Sequence, residues 1–143
     1  MIKKLDKTYI RELVELNRLA FEPLEKELGI YTDKGVKEYF EFTLKEGNVF
    51  GYFDEENKKL VACIGIVINK ENKYGEVEHL LVNPDFQRKG IAKELMKFIE
   101  EYAREMKLKT LRLNVRCKNN NAINFYEHSG YLKHAYIMTK ELK

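Results

Sequence analysis

Several things are scarce in this chain, and each scarcity removes a class of function. It has two cysteines, Cys63 and Cys117, at no spacing that suggests a metal site, and its three histidines, His79, His128 and His134, are scattered, so a zinc cluster is not expected. Cys63 lies in an apolar stretch and reads as a small core residue, whereas Cys117 falls in a polar loop; neither reads as a nucleophile. The longest apolar run, Leu60 to Ile68, is too short to span a bilayer, and Met1 to Asp6 lacks the apolar region of a signal peptide, so the expected compartment is the cytoplasm, with no membrane partner. Low-complexity tracts and repeats are absent. There is little excess charge either: 26 basic and 23 acidic residues leave +3, mixed along the chain rather than blocked, which argues against a nucleic-acid partner.

What is present suits one globular domain spanning residues 1–143, since 44% of the residues are hydrophobic and 34% charged and the length matches a single core. The chain is organised around the stretch from Glu76 to Met106, which reads as a strand, a turn and a long helix. The strand runs from Glu76 to Val82, Pro84 helps to stop it, and the turn Gln87, Arg88, Lys89, Gly90 opens into the helix. Such a junction attracts anions, because the first turn of a helix has N–H groups without partners and carries partial positive charge. Gly90 lacks a Cβ, so a phosphate could approach its backbone closely, with Arg88 and Lys89 adding mobile positive charge. The turn has neither the Gly-Lys-Ser/Thr ending of a P-loop nor the paired glycines of a dinucleotide fingerprint.

Around this centre the expected order is a short strand at Ile2 to Leu5, then a helix capped by Asp6 or Thr8 that Pro23 ends or bends near Phe21. A second helix, capped by Asp33 and stopped by Gly47, carries Val36, Tyr39, Phe40, Thr43 and Leu44 inward. Val49 to Asp54 and Leu60 to Ile68 read as strands of an antiparallel meander that leads into the central strand. The long helix has its stripe at Ile91, Leu95, Phe98, Ile99, Tyr102, Ala103 and Met106, and a strand at Thr110 to Val115 completes a βαβ unit with parallel strands. Beyond the asparagines 119 to 121, any of which could cap it, comes a short helix from Ala122 to His128, then Gly130 and a final strand from Tyr131 to Leu142.

Two motifs carry a resemblance. Gln87, Arg88, Lys89, Gly90, Ile91 and Ala92 form Gln-x-x-Gly-x-Ala, and Asn119, Ala122, Tyr126, Gly130 and Tyr131 form Asn-x-x-Ala-x-x-x-Tyr-x-x-x-Gly-aromatic. In this order, covering about half the chain, they resemble the signatures of the GNAT superfamily of N-acetyltransferases. The resemblance implies an α/β (α+β mixed sheet) fold in which the antiparallel N-terminal meander joins the βαβ unit, with helices on both faces. It also implies an acetyl-CoA-dependent N-acetyltransferase, without a metal, that moves an acetyl group directly to a primary amine of a small molecule or peptide. The alternative from a different class is a non-catalytic acyl-CoA-binding or sensor domain. Oligomeric state stays open, with a homodimer as one expectation because related folds often pair near the C-terminus.

In the family's pattern the pyrophosphate of the carrier sits on the N–H groups of Arg88, Lys89, Gly90, Ile91, Ala92 and Lys93, after Gln87, and its pantetheine arm pairs like an extra strand with Leu80, Leu81 and Val82. An N–H near Leu81 would polarise the thioester, and Asn119 would hydrogen-bond the carrier or simply act as a cap. An alkyl amine with a pKa of about 10 must lose a proton before it attacks, and a carboxylate acting through water can accept it. Glu76 and Glu78 are two apart, hence expected on one strand face with Leu80 and Val82; either could serve, and His79 is expected on the opposite face as a structural residue. A tyrosine hydroxyl stays protonated at a pH where a thiolate leaves, which suits Tyr126 as general acid; its plainer reading is a core aromatic beside Ile123 and Phe125. Glu22, Glu25 and Glu27 would suit a cationic acceptor, or would simply be solvated.

Overall fold

A computed structural model describes the backbone of residues 1–28 and 32–142, and the side chains of 1–20 and 32–142. By its contacts the chain divides into two compact units, Met1–Leu113 and Asn114–Lys143.

Among the described residues the first unit has one sheet, ordered β1 (Ile2–Lys4), β2 (Gly47–Phe53), β3 (Leu60–Asn69), β4 (Tyr74–Val82) and β5 (Thr110–Leu113). The neighbours pair antiparallel except for β4 and β5, which run parallel. That single parallel pair is what a strand–helix–strand connection requires, and helix α3 (Ile91–Glu105) supplies the crossover.

Helices α1 (Ile10–Leu28) and α2 (Asp33–Glu46) cover one face of the sheet. Their apolar spacing puts Leu13, Leu16, Val36 and Phe40 into one cluster with Val49, Phe53, Cys63 and Leu81. Burying a side chain the size of Leu or Phe stabilises by about 1.5–3 kcal/mol, so this layer holds α2 firmly against β2 and β3. On the other face, α3 buries Ile91, Leu95, Met96, Ile99 and Ala103, and Phe50 of β2 meets Phe98 edge-on at 4.9 Å. Met106, expected on this stripe, is exposed beyond the end of α3.

Three expectations change at element ends. The cap of α2 is Thr32 rather than Asp33, its hydroxyl accepting from Gly35 N–H at 3.0 Å. Of the two alternatives for Pro23, ending the helix is excluded: α1 continues to Leu28, which a helix can do at the cost of a backbone hydrogen bond. In the second unit, α4 (Asn120–His128) is capped by Asn119, and the expected strand from Tyr131 to Leu142 has no regular secondary structure. A strand exists through its ladder, and no strand is described in this unit to supply one. Leu132, Tyr136, Ile137, Met138 and Leu142 are left exposed. No described helix is long and apolar enough to cross a membrane.

Candidate active site

The central feature is a bulge in β4. Cys63 pairs with Leu81 and Gly65 with Glu78, so the one residue Ile64 on β3 faces two on β4, His79 and Leu80. His79 takes up the extra length at φ +54°, a left-handed conformation uncommon for a side-chain-bearing residue. Gly65 sits opposite; a Cβ there would lie 3.2 Å from Thr43 Cγ2 and 3.3 Å from the Glu78 carbonyl oxygen, so its absence lets α2 lie close over the bulge.

The bulge reverses the alternation of the strand. Glu76 and Glu78 share the α1/α2 face with Leu81, which joins that core cluster, and not with Leu80 and Val82 as strict alternation predicts. His79 also turns to α2 instead of away from it. Its ring stacks on Phe40 at 4.1 Å, meets Tyr39 at 4.3 Å, and its Nε2 is 2.9 Å from Thr43 Oγ1. Burial lowers its pKa to about 4, so the ring is neutral. The thiol of buried Cys63 donates to the His79 carbonyl at 3.2 Å, and burial pushes its pKa up, which matches its reading as a core residue.

The two glutamates are held differently. Glu76 accepts from Arg112 Nε at 2.5 Å, and the same guanidinium lies over the Tyr74 ring at 4.0 Å and donates to its hydroxyl at 2.9 Å. The parallel register Glu76↔Arg112 produces that pair. Glu78 is half-buried and its carboxylate accepts from the Tyr39 hydroxyl. Burial raises its pKa; the Tyr39 hydrogen bond pulls it down and the nearby Glu76 charge pushes it up. Tyr39 was expected inward on α2 but stands on the rim, 40% exposed, because Val36, Phe40 and Thr43 fill the buried stripe.

Past Val77, β4 has no partner on its β5 side: the parallel pairing ends at Val77↔Leu113, leaving Glu78 to Val82 as an open edge among the described residues. Asn83 N–H donates to the Val61 carbonyl at 2.8 Å, and in the same register Leu81 also turns its N–H to β3, so Val82 presents its N–H to the open edge. Gln87 ties the turn back, its Nε2 donating to the Val82 carbonyl at 3.3 Å.

That edge leads straight to the start of α3. The first intrahelical bond runs from Glu94 N–H to the Gly90 carbonyl at 3.0 Å, and among the described residues no N–H from Arg88 to Lys93 donates to a backbone carbonyl. Gly90 is the cap at φ +80°, and a Cβ on it would meet no protein atom within 4 Å. Glycine is therefore required there by conformation, and the space in front of it is open. Arg88 is left-handed as well, at φ +63°, and the ammonium of exposed Lys89 lies 5.0 Å from the centre of the Phe86 ring.

Asn119 and Tyr126 belong to the second unit. Asn119 Oδ1 accepts from Ala122 N–H at 3.1 Å, the cap that its plainer reading anticipated. Gly130, at φ +93°, ends α4 in a Schellman stop: its N–H reaches the Glu127 carbonyl at 3.1 Å and the Tyr131 N–H reaches the Tyr126 carbonyl at 3.0 Å. The rings of Tyr126 and Tyr131 meet at 5.9 Å. The spacing Tyr-x-x-x-Gly-aromatic thus encodes a helix stop that seats Tyr126, whose pKa is raised by burial. Glu22, Glu25 and Glu27 lie outside the described side chains. Among the described residues there is no group of three or more His, Cys, Asp or Glu suited to a metal ion.

Sequence reasoning missed Tyr39 and Arg112 as neighbours of the glutamates and Thr43 as the partner of His79. Arg112 depends on a strand register that nothing local encodes, whereas the Tyr39 to Thr43 spacing of one helical turn was a visible signal.

Comparison with known proteins adds a family. Residues 10–131 match the model of the acetyltransferase (GNAT) family. A protein of Archaeoglobus fulgidus described as an uncharacterized N-acetyltransferase is 34% identical over 131 residues, 87% of this chain and 88% of its own length. Among solved structures, a possible acetyltransferase from Clostridium difficile superposes with a TM-score of 0.78 at 18% identity, covering 100% of this chain and 97% of that one. The PaiA N-acetyltransferase of Thermoplasma acidophilum, solved in complex with coenzyme A, gives 0.73 at 21% identity over 90% and 87% of the two chains.

Proposed function

The chain belongs to the acetyltransferase (GNAT) family and is an N-acetyltransferase; from that premise we propose that it acts as a single domain to move the acetyl group of acetyl-CoA directly to a primary amine of a small molecule or peptide. The observation that carries this reading is the open edge of β4 running into the undonated N–H groups of Arg88 to Lys93. An extended arm of amides can pair with the edge while a pyrophosphate rests on the helix start. The coenzyme A bound by the Thermoplasma relative supports the same choice of carrier.

Of the two glutamates, Glu78 is the proton acceptor. Arg112 engages Glu76 in an ion pair, whereas burial raises the pKa of Glu78, which suits Glu78 to accept a proton. The ammonium gives up one proton through water to Glu78, and the freed lone pair forms the N–C bond. The C–S bond breaks with its electron pair on sulfur, and the nitrogen releases its second proton to water as the amide forms. Tyr126, protonated across the neutral range, returns a proton to that thiolate. Asn119 keeps its amide N–H groups for the carrier while its oxygen caps α4. Cys63 and Cys117 take no part, so no acyl-enzyme forms.

The test is thiol release from acetyl-CoA across polyamines, amino acids, aminoglycosides and short peptides with free N-termini. Turnover with one class establishes the acceptor. Acetyl-CoA binding with no turnover anywhere in the panel would favour an acyl-CoA sensor instead.

A further inference from the structure

Helix α2 touches two consecutive residues of β4. The Tyr39 hydroxyl donates to the Glu78 carboxylate, and one turn later Thr43 is hydrogen-bonded to His79. A regular strand would show α2 every second side chain only; the double contact exists because the bulge turns both residues to the same side. Phe40, between them on the helix, stacks on the His79 ring, so three positions of α2 fix the strand at one point. Tyr39 is the only one of the three that reaches a carboxylate, and it does so from the exposed rim.

We propose that Tyr39 is a positioning residue for the proton acceptor: by occupying Oε2 of Glu78 it aims Oε1 at the water that carries the proton from the amine, and it sets the pH at which that oxygen is free to accept. The proposal rests on Glu78 being the base. The hydroxyl donates to the charged carboxylate and so favours it, against burial and the Glu76 charge, which oppose it. Among the described residues, the other charged groups around Glu78 do not replace this contact. Arg112 on β5 is engaged by Glu76, His79 is neutral, and Arg11, Glu12, Glu15 and Arg18 of α1 are exposed. On α2, Lys37, Glu38 and Glu41 are exposed, and α3 with its charges lies across the sheet.

The decisive variant is Tyr39→Phe, which keeps the ring against His79 and removes only the hydroxyl. The carboxyl carbons of 13C-glutamate-labelled protein are titrated by NMR, the Glu78 signal being assigned by its loss in Glu78→Gln. In parallel, the pH profile of kcat/KM is measured by thiol release with the best amine of the panel. The expected result is a Glu78 midpoint at higher pH in Tyr39→Phe, with the acid limb of kcat/KM moving alongside it and the rate below the midpoint falling roughly 3- to 10-fold. An unmoved midpoint overturns the role of Tyr39 and leaves Glu78 as base intact. A midpoint that moves while the acid limb stays put removes Glu78 as base, and the proposal fails with it.

Discussion

Thr43 and His79 share a hydrogen bond, Oγ1 to Nε2 at 2.9 Å, while the same hydroxyl lies 3.1 Å from the Tyr39 carbonyl one helical turn back. Burial keeps the His79 ring neutral, a wedge under the bulge.

This neutrality makes the fold sensitive to acid. The folded pKa of His79 is about 4, below the ordinary 6.5, so above pH 6.5 the ring is neutral in both states and its contribution is fully present. Between pH 6.5 and 4 the unfolded chain takes up a proton that the folded chain refuses, and stability falls by up to about 3 kcal/mol. Urea unfolding across that range should show the loss. His79→Asn, which tolerates the left-handed backbone, should flatten this part of the profile.

Glu78→Gln should lower kcat by about 10²- to 10⁴-fold, the usual contribution of a positioned base. It should also stabilise the protein. A carboxyl with a raised folded pKa favours the fold below its unfolded pKa and loses that contribution as pH rises through the folded value, so at neutral pH the charge is a burden. Replacing it should raise Tm at pH 7 by about 1–2 °C, and a melt at pH 4 should show a smaller gain. Glu76→Gln, which removes only an exposed pair, should stay within roughly 0–1 kcal/mol of the parent in stability.

Tyr126→Phe should reduce kcat about 10²-fold or more while leaving the Kd for acetyl-CoA nearly unchanged, since the ring contacts with Phe125 and Tyr131 remain. Calorimetric binding together with steady-state rates separates the two. An unaltered kcat with every accepted amine would remove Tyr126 as the acid.

Gly90→Ala places a Cβ on a left-handed cap at φ +80°. The strain should cost about 1–2 kcal/mol in urea unfolding. The added methyl also enters the open space before the helix start, so coenzyme A binding should weaken by about 10-fold or more beyond any loss of folded protein.

The element order and the two motifs were legible because helical and alternating periodicity are local properties, and α2, α3 and α4 fall within a few residues of where periodicity and capping put them. The bulge was not. The run Leu80, Leu81, Val82 is apolar throughout and cannot report a change of face, so strict alternation assigned Glu78 the wrong neighbours and sent His79 to the wrong side. Tyr39 was misread for a related reason: helical spacing names a face, and which edge of it stays open is decided by what packs against Phe40. The final strand failed differently. Tyr131 to Leu142 has the composition of a strand, but composition cannot provide a neighbour.

What the start of α3 leaves open is a row of backbone amides, and amides are common to every residue except proline. Over generations the letters from Arg88 to Lys93 can drift while the surface a phosphate meets stays the same. Lineages of this chain should therefore keep the handedness of Gly90 and shun proline across those six positions, whatever else they exchange there.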